Sequence, residues 1–161
     1  MLKKYTLNIL LIITIFLFSQ FTGDSVQKDL LNYINIELPK VADLESEAVD
    51  AYSSVSGENY ISDAIMSEKM TSVVVPKYEA FAKKLKAIKP KTSEVKKIHA
   101  EYVEASKDQM EAFNLIVHAI KKQDVNEIKK ANADLDAARK LIDSWRTDLN
   151  EMCKKHNVIL E

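Results

Sequence analysis

From Ile128 to Met152 an apolar residue returns every seven positions: Ile128, Leu135, Ile142 and Leu149. Each is followed at plus three by another: Ala131, Ala138, Trp145 and Met152. No charge enters this seam. A stripe of that period runs along one side of a helix and has to be covered by other helices. The rest of the sequence agrees. Two glycines and three prolines in 161 residues are too few for the turns that a sheet protein of this size requires.

Helical stripes recur upstream. A first helix is predicted over 25–54, capped by Asp24 or Ser25. It carries Leu30, Ile34, Leu38, Val41, Leu44, Ala48 and Tyr52 at steps of three and four, with Val55 just beyond. Gly57 suits the left-handed residue that ends a helix. A second helix over 59–88 carries Ile61, Ala64, Ile65, Met70, Val73, Val74, Phe81, Leu85 and Ile88. Pro39 and Pro76 interrupt the two patterns, since a proline removes an i→i−4 bond. They lie 18 residues before and 19 after Gly57. A hairpin turning at Gly57 would set both at one level, which predicts paired bends.

Pro90, Thr92 and Ser93 make the next turn, and Thr92 or Ser93 caps a third helix over 93–122. Its stripe is Val95, Ile98, Tyr102, Ala105, Gln109, Ala112, Phe113, Ile116 and Ile120. Gln109 is expected to face Asn132 or Asp136 in a buried polar contact that fixes register. Asp124 caps the fourth helix, over 125–156, with Glu127 completing an acidic capping box and Asn157 available as its C-terminal cap. Four helices of about 30 residues on short connections predict an all-α fold. Its simplest form is an antiparallel up-down-up-down four-helix bundle over 24–161. The alternative is a three-helix core with the first helix partly detached. The seam of the fourth helix serves an intramolecular bundle or a homo-oligomer equally well.

Residues 1–23 read differently. Lys3 and Lys4 precede an almost wholly apolar run from Leu7 to Phe18, the pattern of a signal peptide or an N-terminal membrane anchor. Phe21 and Gly23 form a poor cleavage pair, so removal and retention stay open. Either outcome places the folded region outside the cytoplasm, membrane-anchored or secreted.

Net charge is −1, which gives no reason to expect a nucleic-acid partner. Its distribution is uneven. Residues 24–55 carry seven acids against two lysines, and residues 83–97 carry seven lysines against one glutamate. In the bundle, Lys83, Lys84, Lys86, Lys89 and Lys91 fall at the membrane end, where they could meet anionic headgroups or wall polymers or remain a solvated charged end. Tyr52, Tyr60 and Ile61 fall at the far tip. They are candidates for contact with an envelope protein, or core residues that close the bundle.

Helical bundles house metal and haem sites through recognisable motifs. A di-iron bundle needs Glu-x-x-His on two helices. The residues three before His99, His118 and His156 are Lys96, Leu115 and Cys153, so that motif is missing. There is neither a haem-attachment Cys-x-x-Cys-His nor a His-Glu-x-x-His zinc helix. Cys153 and His156 are one turn apart, and His99 falls near them in an antiparallel pair. These three are the weak metal candidates, against the plainer reading of a buried thiol and two flanking imidazoles. Cys153–His156 is also the lone local nucleophile–base pair, and nucleophilic catalysis needs a third group to orient the base. An enzyme is not expected, nor is a cofactor.

The stretch Lys86–Glu161 resembles a group of small uncharacterised extracytoplasmic helical proteins of Bacillus-type bacteria. The residues that carry the likeness are the run IKPKTSEVKKIHAEYVEA, then QMEAF, KKANADLDAARKLIDSW and KKHNV. Proteins of that kind are commonly lipoproteins with a cysteine just after the apolar segment. Here that place reads Ser19-Gln20-Phe21-Thr22-Gly23-Asp24. The resemblance therefore implies an extracytoplasmic helical protein without the lipid site, and no activity. The expected function is a non-enzymatic interaction or structural role in the cell envelope. The alternative is a bundle that binds a small ligand or a metal.

Overall fold

The computed structural model describes residues 24–159. The signal or anchor expectation for 1–23 lies outside them. The described residues are all-helical, with no strand among them. They form four rods. The first is α1 (Ser25–Asn32), a π-turn (Tyr33–Glu37) and α2 (Pro39–Ser53). The second is α3 (Asp63–Lys69), a π-turn (Met70–Val74) and α4 (Val75–Ala87). The others are α5 (Ser93–Lys122) and α6 (Val125–Lys155).

Both π-turns stand just ahead of a proline. In an unbroken α-helix the proline ring presses on the carbonyl four residues back. Here the Leu38 N–H reaches back five residues to the Tyr33 carbonyl at 2.9 Å, and the Val75 N–H reaches the Met70 carbonyl. Each wide turn inserts a residue and leaves its proline in the first turn of the next helix, where a missing N–H costs least. The insertion also rotates the buried stripe. Tyr33 and Tyr78, absent from the predicted stripes, are fully buried, while Ile34 and Leu38 are only half-buried.

The paired bends need correction. A Lys77–Glu47 ion pair bridges the first two rods and sets Pro76 beside the level of residue 47, eight residues beyond Pro39. The pivot is not Gly57. The first rod ends at Ser53, and residues 54–62 connect it to α3, which Ser62 caps. Gly57 is left-handed, at φ +57°, but it opens a 3-10 turn (Gly57–Asn59) inside that connection. The second helix thus begins at Asp63, not 59, and Ile61, Ala64 and Ile65 stay exposed.

α5 packs along α6, α4 packs on α5, and α2 packs on α4. The α6 seam buries Ala131, Leu135, Ala138, Ile142, Trp145 and Leu149 and continues to Cys153. An aromatic ladder crosses the rods. It runs Tyr52–Phe113–Tyr78–Phe81–Tyr102–Trp145, with successive ring centroids 5.1, 5.1, 5.1, 5.8 and 3.8 Å apart. Such pairs each add about 0.5–1.5 kcal/mol beyond their buried area. α2 and α6 make almost no close backbone approach, so that side of the molecule is open.

The helix ends are sealed locally. Gln123 (φ +54°) ends α5, with the Asp124 N–H on the Ala119 carbonyl at 3.0 Å. Asp124 Oδ1 then accepts from the Asn126 and Glu127 N–H groups that start α6. Glu127 does not close the capping box; its carboxylate meets His118 Nδ1 at 2.6 Å. Asn157 (φ +54°) ends α6 in the left-handed form, and the Val158 N–H returns to the Cys153 carbonyl at 2.8 Å.

Candidate functional site

The open side forms a groove of about 450 Å³. α2 supplies Ala42, Glu45, Ser46 and Val49, and α6 supplies Arg139, Ile142, Asp143 and Arg146. These sets face each other because each recurs at helical spacing on one side of its rod. Glu45 is the unusual member. It accepts a hydrogen bond from the Tyr102 O–H, and the Tyr102 ring stacks on Trp145 at 15°. Burial pushes the Glu45 carboxyl up, opposed by that hydrogen bond and by Arg146. Burial likewise raises the Tyr102 and Tyr78 phenols.

α5 contributes Gln109, which is 6% exposed and lines the groove. Its expected contact with Asn132 or Asp136 is not made: α5 turns the amide toward α2 and α6, where it bonds to none of the described side chains. Arg139 and Arg146 pair with Asp136 and Asp143 on their own helix, at 3.0 and 3.5 Å. The groove therefore offers two carboxyls, a free amide and two guanidiniums beside the apolar Ala42, Val49 and Ile142. That set can hold a small polar molecule. No histidine or cysteine lines it.

At one end of the molecule three elements are tied through His156. Asp24 caps α1 through the Val26 N–H and bonds His156 Nδ1 with its other oxygen. His156 Nε2 meets Glu94 Oε2 at 3.0 Å, and Lys155 Nζ donates to the same oxygen at 2.8 Å. The Asp24 hydrogen bond, helped by Glu94, raises the His156 pKa against the effect of burial. His156 in turn lowers Asp24, and Lys155 with His156 lowers Glu94. Close by, Asp29 Oδ2 accepts from the Lys91 N–H, the Thr92 N–H and Thr92 Oγ1, at 2.9, 2.7 and 2.8 Å. Thr92 occupies the N-cap position of α5 but makes no side-chain bond to the helix. Asp29 instead fixes the turn that leads into α5.

The three weak metal candidates do not converge. Both His156 nitrogens are engaged, Cys153 is buried with its thiol pushed up by burial, and His99 Nδ1 meets the Tyr33 hydroxyl at 3.3 Å. Burial, with Lys89 nearby, lowers the His99 pKa. Among the described residues no group of three His, Cys, Asp or Glu side chains is placed to hold a metal ion.

At the opposite tip, Tyr52 is 7% exposed and packs on Phe113. It is a core residue, not a surface one, because it falls on the inner stripe of α2. Tyr60 and Ile61 are 47% and 72% exposed, with Ile65 and Val125 exposed at the same tip. The Tyr60 O–H donates to Asp63 at 2.8 Å. Lys83, Lys84, Lys86, Lys89 and Lys91 are all exposed. Among the described residues no helix is long and apolar enough to cross a membrane. Neither protein-family models, curated proteins nor solved structures match this chain.

Proposed function

We propose that this is an extracytoplasmic protein, tethered through residues 1–23 or released after them, whose folded region is an antiparallel up-down-up-down four-helix bundle that works by binding and not by catalysis. Three features support the bundle: the packed pairs α2–α4, α4–α5 and α5–α6, the short α5–α6 turn, and the ties from α1 to the start of α5 and the end of α6. The two lysines and the apolar run of residues 1–23 support the compartment. The observation that carries the binding role is the exposed apolar tip of Tyr60, Ile61, Ile65 and Val125. A partner there would be an envelope protein. A Tyr60→Ser, Ile61→Ser variant of unchanged helicity is expected to lose the partner that the wild-type chain recovers from its own envelope fraction. Equal recovery by both, or none by the wild type, counts against the tip.

Gln109 favours a second reading, a bundle that binds a small ligand in the open groove. Its amide makes no described bond to the protein and opens into the groove, where water or a ligand can meet it. Native mass in excess of the denatured mass, lost in Gln109→Leu, supports this reading. Equal native and denatured masses sink it.

A further inference from the structure

The seven lysines of residues 83–97 do not form one patch. Lys97 lies on the α5–α6 side among Glu94, Glu101, Asp148 and Glu151. Lys83, Lys86, Lys89 and Lys96 instead rim two adjoining grooves between α4 and α5, of about 520 and 650 Å³, which share Lys86 and Val103. Between these lysines the floor is apolar, made by Ile88, Pro90, Ala100 and Val103. None of the four lysines has an ion pair among the described residues. Three acids at this end are engaged elsewhere: Asp24 with His156, Glu94 with Lys155 and His156, and Asp29 with the backbone of Lys91 and Thr92. On the same face Glu104 and Glu111 pair with Lys107. Counting Lys107, the two grooves are lined by five lysines against Glu79, Glu104 and Glu111, so the shoulder keeps a net charge of +2. Residue 24, where the apolar N-terminal segment joins, is at this same end.

We propose that this lysine-rimmed α4–α5 shoulder docks on a bilayer surface rich in anionic phospholipid, the lysines meeting phosphates and the apolar floor facing the headgroup boundary. The inference rests on the membrane-adjacent reading above. Exposed lysines near such a surface are attracted individually and screened by salt.

The test uses the full chain with vesicles of phosphatidylcholine alone or mixed with phosphatidylglycerol. Co-flotation with the neutral vesicles tests the anchoring segment, and its failure would speak against that reading alone. The increment gained on anionic vesicles tests the shoulder. Removing lysines by Lys83→Gln, Lys86→Gln, Lys89→Gln and Lys96→Gln is expected to cut that increment by roughly a factor of five each. Lys121→Gln with Lys122→Gln, at the other end, is expected to leave it unchanged. Lysine acylation followed by mass spectrometry should show the four shoulder lysines protected on anionic vesicles and exposed again at high salt. Equal partition onto both vesicle types, an unchanged increment in the quadruple variant, or protection by soluble polyphosphate but not by anionic vesicles would overturn the proposal.

Discussion

Replacing Asp29 by alanine removes three hydrogen bonds held by a single carboxylate oxygen, all between 2.7 and 2.9 Å. Asp29 is 5% exposed, so water replaces those bonds poorly. Hydrogen bonds to a charged group contribute about 1.5–3 kcal/mol each. The three share one acceptor atom, and burying the carboxylate has its own cost, so they do not add. One full charge-assisted bond, plus about 1 kcal/mol for a turn N–H left without an acceptor, gives a destabilisation of about 3 kcal/mol. For a domain of this size that lowers Tm by about 6–12 °C. Asp29→Asn keeps an acceptor oxygen and loses the charge, and should cost about 1 kcal/mol. Thr92→Val, which removes one donor, should cost about the same. The assay is urea unfolding at pH 7 followed by far-UV circular dichroism, where the midpoint should fall with the slope unchanged. Amide exchange at Lys91 and Thr92 should accelerate in Asp29→Ala well before global unfolding. An unfolding free energy within about 0.5 kcal/mol of wild type would refute this role for Asp29.

Other expectations follow from the ionisable groups. Folding raises the His156 pKa, so the bonds to Asp24 and Glu94 stabilise fully below the unfolded value of 6.5 and fade as pH rises through the folded one. Asp24 and Glu94 are lowered, so their share is present above 3.8 and 4.5 and is lost as pH falls through their folded values. His99 is lowered, so its share of stability is gained as pH rises from its folded value to 6.5, below the window of His156. The stability gap between wild type and His156→Gln should therefore be widest in mildly acidic solution and close toward high pH; a flat gap across urea melts at several pH values contradicts this. Glu45 is raised by burial, so wild type should lose ground to Glu45→Gln as pH climbs above 4.5. Parallel melting curves for the two at every pH would refute that. Cys153, 2% exposed with its thiol pushed up, should react with a thiol reagent at the rate of global unfolding. Fast labelling of the native chain would place it elsewhere.

Much of the fold was legible because stripe period reports burial directly. Every residue of the predicted α5 stripe is buried, from Val95 to Ile120, and so is the α6 seam apart from half-buried Ile128 and Met152. Asp124 capped as expected because a cap is a local interaction, closed within three residues. The first two rods carry weaker local signals. Each proline announced a break, but no local signal says whether a helix bends or inserts a wide turn. The insertion moved Tyr33 and Tyr78 into the core. Ile61 and Ile65 fit an apolar period yet lie beyond the point where the rods separate.

The candidate sites were hidden for a different reason: their contacts span many residues. Asp29 meets Thr92 over 63 positions and His156 meets Asp24 over 132. Glu45 reads as a surface acid of α2 until α5 presents Tyr102 to it. Gln109 was found through its polar place in an apolar stripe, but its direction depends on the open α2–α6 side, which no spacing in either helix records.

The central claim is that the bundle stands outside the cytoplasm, brought there by residues 1–23. Protease added to intact cells of the native host, followed by an intact-mass measurement of the surviving and released protein, tests it most directly. The account predicts digestion from outside while a cytoplasmic marker survives, and an undigested mass that is either full-length or begins near Asp24. A full-length chain that protease reaches only after the cells are opened would contradict it.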